Sequence, residues 1–466
     1  WGIMREKNSY VYFDPSVSIK KYSNTTHDVI FLNAPLSVMN PNNNGMVYKL
    51  NESAFEIVKL FDGTRTYNQI VEHFSNKFNE DSKSITNKIE ACLGTLEKCG
   101  YSIAYSTTPS IHTINFTSFN TYYPTVASLE ITNACNLRCR HCYGDYGNVT
   151  YKELSLNDAK KIIDHFVDIR LSILEITGGD PTVNRECTKI IQYALEAGIP
   201  KVMFLTNGVK IDDDLHQLLV KNKNRVYVQI DLHSLNEAYY EWFTGYNKLA
   251  EVKNNIQKLT KSGVKVRVCA IFTPGNVHEL FDIAKWAYDN GAIYFAPSIS
   301  INLGRAENEL LSFTKDQDLL LFDKLRKQVC ETYPSFIQNT EDPIYLNSIR
   351  RNNCGAIRSE ISIDVEGNIR FCNMSAGQNM RLDIGNVLQN SIGEIFDQKK
   401  EFLDSLLGII PPDMNSDTCR DCPNRFFCHS CILRGLIRGH QICNRESSCQ
   451  WYQNLPNSFK SMVTFE

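Results

Sequence analysis

Between Thr125 and Ser300 the chain alternates apolar, strand-like runs with amphipathic stretches. The runs are Val126–Thr132, Ile173–Thr177, Val202–Thr206, Val226–Asp231, Val264–Ile271 and Ala292–Ser298. Between them apolar positions recur at helical spacing over Leu156–Arg170, Glu186–Ala197, Asp212–Lys221, Leu249–Ser262 and Val277–Asn290. Strands each separated by a helix imply a parallel sheet joined by right-handed crossovers. The expected fold class is α/β, a partial (β/α)6 barrel, with its active site at the C-terminal ends of the strands.

The pattern differs on either side. Upstream, Val29–Asn33 and Met46–Leu50 read as short strands around the turn-rich run Asn40–Gly45. Asn51 can cap a helix over Glu52–Phe61, which Asp62-Gly63 breaks. Tyr67–Phe78 carries Ile70, Val71, Phe74 and Phe78 on one stripe, and Ser84–Lys98 reads as a third helix ended by Gly100. Thr107–Tyr122, rich in Ser, Thr, Pro and Asn, reads as a linker. Downstream, Glu307–Tyr333 looks helical. After Arg350 the alternation stops and short hairpin-like pieces with cysteines predominate, as in a fold held by metal rather than by a large core. The expected organisation is an α+β domain over 1–108, a linker over 109–122, the barrel over 123–306, a bridging helical segment over 307–350 and an irregular metal-bearing domain over 351–466.

Hydrophobic residues make up 42% and charged residues 22%, ordinary for a folded soluble chain. A net charge of −3 argues against a nucleic-acid partner held by bulk electrostatics. No apolar run reaches the roughly 20 residues of a membrane span, and Trp1–Tyr12 lacks the basic-then-apolar signature of a secretory signal. The expectation is a cytoplasmic protein with no membrane partner. The 16 cysteines change the picture, because they are clustered. Only Cys92 and Cys99 precede Cys135, whereas eight lie between Cys354 and Cys449. A secreted disulfide scaffold is small and cysteine-rich throughout, while clustered cysteines in a cytosolic chain point to metal.

The first cluster follows the first barrel strand as Cys135-x3-Cys139-x2-Cys142, with His141 before the last cysteine. Three close thiolates can hold three irons of a 4Fe–4S cluster and leave the fourth open to a chelating cofactor. A structural zinc loop is the plainer alternative, but zinc usually takes four protein ligands. This loop resembles the radical S-adenosylmethionine (radical SAM) signature, in which the cluster reduces S-adenosylmethionine to release a 5′-deoxyadenosyl radical. Thr177-Gly178-Gly179-Asp180 then resembles the segment that binds the methionyl amine, with Asp180 one methylene shorter than the usual Glu. Thr206-Asn207-Gly208 resembles the ribose-contacting segment, and Asp231 does similar work or simply caps a strand end. Gly304-Arg305-Ala306 resembles a motif of peptide-modifying members; Arg305 can grip a carboxylate or form a surface ion pair.

The second set reads Cys354-x12-Gly367-x4-Cys372, then Cys419-x2-Cys422-x5-Cys428-x2-Cys431, then Cys443 and Cys449. Eight thiols suffice for two iron–sulfur clusters or two zinc sites. The order and gaps resemble the SPASM domain, except for two residues between Cys428 and Cys431 where three is usual. That resemblance implies two auxiliary 4Fe–4S clusters, one on Cys419, Cys422, Cys428 and Cys449, the other on Cys354, Cys372 and Cys431 with Cys443, Cys330 or nothing as fourth ligand. Cys92, Cys99, Cys187 and Cys269 read as small buried hydrophobes.

The N-terminal part resembles the winged-helix-like PqqD recognition element, on Gly45–Glu52, Phe55-Glu56-Ile57, Leu60–Gly63 and Thr66. The resemblance implies that a precursor peptide adds its leader as a strand along Met46–Leu50, against Ser84–Lys98. The three parts together resemble maturases of ribosomally made peptides, closest to the thioether-forming sactipeptide and ranthipeptide synthases. The implied chemistry is a thioether between a peptide Cys, which the cluster on Cys354, Cys372 and Cys431 can hold, and a carbon stripped of hydrogen by the radical. An external one-electron reductant is implied. Rival products are a carbon–carbon crosslink, a modified single residue, or sulfatase-maturase-like oxidation. A scaffold without turnover is the rival of another class.

Overall fold

The computed structural model describes residues 8–13, 18–22, 29–33, 47–98, 103–111, 115–119, 121, 123–147, 150–309, 311–337, 354–358, 360–378, 380–445 and 448–465. The chain forms two compact units, one built from its N-terminal part up to Tyr122 and one that starts at Tyr123.

The first unit holds two small sheets and three helices. Strands β1 (Tyr10–Phe13), β5 (Asp62–Thr66) and β6 (Ile103–Ser106) pair antiparallel in the order β5-β1-β6. Strands β2 (Ser18–Tyr22), β3 (Val29–Asn33), β4 (Val47–Leu50) and β7 (Asn115–Phe119) form the order β4-β3-β2-β7, with β7 parallel to β2. Helix α1 (Glu52–Val58) starts where Asn51 Oδ1 accepts from the Ala54 amide at 2.8 Å. A Thr66/Gln69 capping box starts α2 (Tyr67–Phe78). Helix α3 (Ser82–Lys98) buries Ile85, Ile89, Leu93 and Leu96, one stripe at helical spacing, against Ile70, Val71 and Phe74 of α2. Two expectations fail here. The helix expected to reach Phe61 stops at Val58, and Asp62-Gly63, the expected break, opens a strand. The expected linker contains β7, whose Asn, Thr and Ser disguise a strand that pairs far back in the sequence. The Asn40–Gly45 turn, Met46, Cys99 and Gly100 lie outside the described residues.

The second unit is organised around one eight-stranded sheet. Strands β8 (Val126–Glu130), β9 (Ile173–Thr177), β10 (Lys201–Thr206), β11 (Val226–Asp231), β12 (Lys265–Phe272) and β13 (Tyr294–Ile299) run parallel in chain order. Helices α4 (Leu156–Asp168), α5 (Cys187–Glu196), α6 (Asp213–Lys221), α7 (Glu237–Thr244), α8 (Leu249–Lys261) and α9 (Leu280–Asp289) connect them. Strand β12 shows how each face is used. Val266, Val268, Ala270 and Phe272 are fully buried in the apolar core, whereas Arg267, Cys269 and Ile271 face the lumen.

The sheet has more strands than the six expected. β14 (Glu360–Ile363) pairs parallel with β8, and β15 (Ile369–Arg370) pairs antiparallel with β14. The C-terminal region also has the core that its sequence hid. Ile361, Ile363 and Phe371 pack into the same cluster as the barrel. So do residues of helices α10 (Ile392–Gln398), α11 (Lys400–Gly408) and α12 (Ile432–Cys443). Among the described residues no helix is long and apolar enough to cross a membrane.

Candidate active site

The loop after β8 carries Cys135, Cys139 and Cys142 and is pinned from several sides. Its Arg138 and Arg140 amides donate to the Thr244 and Phe243 carbonyls at 2.9 Å each, using acceptors that the end of α7 leaves free. The Gly179 amide donates to Thr132 O and the Asp180 amide to Ala134 O, both at 2.8 Å. A Cβ on Gly179 would stand 2.1 Å from the Ala134 oxygen, and one on Gly304 would stand 2.3 Å from the Tyr143 oxygen. Only glycine lets these two segments close on the loop.

The three thiols line one chamber of about 450 Å³ at the C-terminal ends of the strands. Thr177 at the end of β9, Gly178 and Gly179 after it, Asn207 after β10 and Asp231 at the end of β11 line it too. Burial pushes every thiol up: Cys135 to about 12, with the Asp180 charge adding to it, Cys139 well above the ordinary value, and Cys142 upward. Left alone these groups stay protonated, so a cationic centre is what turns them into thiolates. The donor set fits an iron–sulfur cluster. Among the described residues no three His, Cys, Asp or Glu form a ready single-ion site.

The other expected site residues fall out unevenly. The His141 ring stacks on Phe243 at 4.5 Å and meets His233 edge-on at 4.6 Å, and its buried Nδ1 has no hydrogen-bond partner. Burial holds it well below the usual histidine range, hence neutral. Asn207 Nδ2 donates to Asn136 Oδ1 at 2.6 Å and lies 3.8 Å from Cys135 Sγ, so it braces the loop. Asp231 is pushed up to about 7 by burial and by Asp180.

One expectation is corrected, and of the two readings of Arg305 the structure shows the ion pair. Asp180 does not face the chamber: it is fully buried, and its carboxylate accepts from the Thr182 amide and hydroxyl, from Thr206 Oγ1 at 2.8 Å and from the Asn207 amide at 2.8 Å. The shorter side chain turns inward and ties β9 to β10. Arg305 directs Nε to Cys139 O at 2.9 Å and Nη1 to Asp145 Oδ1 at 2.9 Å and Tyr146 O at 3.1 Å, so it clamps the thiol loop. The Asp180→Ala variant is expected to lose at least about 3 kcal/mol of stability, since several buried donors are stranded at about 1–3 kcal/mol each. Chemical denaturation followed by circular dichroism checks this.

The C-terminal thiols fall into two groups. Cys431 and Cys354 both act on Cys372, which burial pushes up to about 12, and Cys431 acts on Cys354. Cys422 and Cys449 act on Cys428, while Cys443, Cys419 and Cys422 act on Cys449. Cys443 thus stands beside Cys449. Cys330 lies on Asp316–Thr332, a helix packed on the barrel.

Sequence reading missed Gln229, His233, Arg267 and Cys269, which line the chamber. Cys269 had read as a buried hydrophobe; it faces the lumen, and burial pushes its thiol up to about 11. The available signal was polarity: strands of a parallel sheet are covered on both faces and run apolar, so Arg267 within Val-Arg-Val-Cys marks a lumen.

Comparisons with known proteins agree with this geometry. The family described as the radical SAM superfamily matches residues 129–287, coenzyme PQQ synthesis protein D matches 37–101, and the iron–sulfur cluster-binding SPASM domain matches 354–423. The antilisterial bacteriocin subtilosin biosynthesis protein AlbA of Bacillus subtilis (strain 168) is 27% identical over 410 residues, 87% of this chain and 88% of that protein. The AdoMet-dependent heme synthase of Nitratidesulfovibrio vulgaris is 26% identical over 346 residues, 69% of this chain and 91% of that protein. The crystal structure of Streptococcus suis SuiB bound to S-adenosylmethionine aligns with a TM-score of 0.60 at 14% identity, covering 92% of this chain and 96% of SuiB.

Proposed function

The chain is a radical SAM enzyme that carries a PqqD-like domain and an iron–sulfur SPASM domain, and on that premise we propose that it installs a Cys thioether in a ribosomally made precursor peptide. Cys135, Cys139 and Cys142 would hold a 4Fe–4S cluster with S-adenosylmethionine on its open iron, which when bound supplies a hydrogen-abstracting 5′-deoxyadenosyl radical. The chain's own residues do the rest. Chamber walls of Thr177–Gly179, Asn207 and Asp231 confine the cofactor, and the buried lining limits water around an unselective radical.

The peptide is taken up by the first unit. Among the described residues β4 has a partner, β3, on one side only, so its other edge can accept an added strand. A groove of about 520 Å³ lined by Ile57, Phe78, Ile85, Ile89, Cys92 and Leu96 offers apolar pockets for leader side chains. The bacteriocin relative AlbA and the peptide-bound SuiB structure support a peptide as substrate; the heme synthase relative matches less of the chain.

One observation supports the thioether: Cys354, Cys372 and Cys431 group together, Cys431 acting electrostatically on both others and Cys354 on Cys372. A cluster held on those three thiols would take the peptide's thiol as its fourth ligand. The expected product, made from a small Cys-bearing peptide encoded beside this gene, is two hydrogens lighter and has lost one alkylatable cysteine. Mass spectrometry before and after thiol alkylation checks both. Loss of two hydrogens with every cysteine still alkylatable would mean a carbon–carbon link.

A further inference from the structure

Arg267 sits in the middle of β12 on the lumen face, in register with Gln229 of β11. A buried guanidinium is normally matched by a carboxylate, because an uncompensated buried charge is costly. Here no carboxylate of the described residues stands in ion-pair contact with it. Its fully buried Nε has no hydrogen-bond partner. Its close company is the Cys269 thiol, which takes one hydrogen bond, and the Tyr294 ring, whose centre lies 5.3 Å from Cζ. Glu175 and Asp231 are within electrostatic reach, but the Ser128 hydroxyl donates to the Glu175 carboxyl and burial pushes both carboxyls toward the neutral form. Arg305, the other arginine lining the chamber, is taken up by the thiol loop. The chamber therefore presents one planar, multidentate cation with donors unused.

We propose that Arg267 grips a carboxylate of the peptide, so that an Asp or Glu side chain lies at or beside the residue brought to the reacting centre. A rigid fork of N–H donors matches a carboxylate in two parallel hydrogen bonds, and a low-dielectric lining strengthens them. Arg267 is two residues before Cys269, which is level with Asp231 at the end of β11. Through Gln229 and Leu205 it is level with Thr177 and lies deeper than Asn207. The affinity for S-adenosylmethionine separates the peptide's carboxylate from the cofactor's own. The inference rests on the reading that a peptide enters this chamber.

The test uses the full chain loaded with its clusters and S-adenosylmethionine, titrated calorimetrically with three probes. These are N-acetyl-aspartyl-N-methylamide, its neutral asparaginyl counterpart, and N-acetylalanine, which carries its carboxylate at the chain end. The wild-type protein is expected to bind the aspartyl probe at least about ten-fold tighter than the asparaginyl one. Arg267→Met should erase that gap and Arg267→Lys should keep part of it, with affinity for S-adenosylmethionine held within about two-fold. Equal binding of the first two probes by the wild-type protein overturns the proposal without any variant. Tighter binding of N-acetylalanine assigns Arg267 to a chain terminus, and a ten-fold loss of S-adenosylmethionine affinity in Arg267→Met assigns it to the methionyl carboxylate; either overturns it. A product two hydrogens lighter from a peptide with no acidic residue in its modified part would sink this inference and leave the crosslinking reading intact.

Discussion

Alanine at any one of Cys135, Cys139 or Cys142 is expected to cut formation of 5′-deoxyadenosine by at least about a thousand-fold, equivalent to about 4 kcal/mol of barrier. The size of the effect follows from the setting of the thiols. All three sit half-buried on one loop, and the desolvation resists their ionisation. Each therefore depends on the metal centre they hold jointly, and removing one leaves two ligands where the chamber offers no replacement within reach. Cys269 lines the same chamber, but its electrostatic partners are Arg267 and Asp231, not the trio. Iron content per chain should fall alongside the activity. Cys187→Ala is the fitting control, because Cys187 is buried in α5 within the apolar core and outside the chamber. The measurement is 5′-deoxyadenosine by liquid chromatography from anaerobically reconstituted protein. Persistent cleavage in a trio variant, or zinc in place of iron in the wild-type protein, would refute the assignment.

How much of this was legible beforehand depended on whether the signal was local. The six barrel strands announce themselves as apolar runs, since a parallel sheet covered by helices excludes water from both faces. Strands β14 and β15 are short and mix Ile with Glu, Ser and Arg, so nothing local marks them as neighbours of β8. Helix α7 escaped notice because aromatic residues fill it without a clean stripe, yet its free carbonyls anchor the thiol loop. The thiols were legible because metal chemistry fixes residue type and spacing together. Asp180 and Arg305 were found by position, but their partners lie in other segments; only the fold shows that both hold the frame of the site. Arg267 needed the inward face of β12 to be known first.

The loop also depends on a buried ion pair that reaches in from the C-terminal region, and Arg370→Met is expected to cost about 3–5 kcal/mol at pH 8. Arg370 Nη1 lies 2.6 Å from Glu130 Oε2, with side chains 23% and 4% exposed. The same Glu130 oxygen accepts from the Tyr146 hydroxyl at 2.6 Å, while Glu130 Oε1 has no partner. Glu130 belongs to β8, Tyr146 to the thiol loop and Arg370 to β15, so one carboxylate joins three segments. Burial raises the Glu130 pKa, and Arg370 is the largest influence pulling it back. Without the guanidinium the folded-state value climbs further above that of the unfolded chain. A carboxyl shifted in that direction is favoured by folding while neutral. The variant's deficit should therefore be small below the ordinary glutamate range, grow as pH rises between the unfolded and folded values, and level off above them. Denaturant midpoints measured from pH 5 to pH 8 test the sign. Because Tyr146 O also receives Arg305, the variant should lose iron along with stability. A deficit that shrinks as pH rises would show that Glu130 is not the group left stranded.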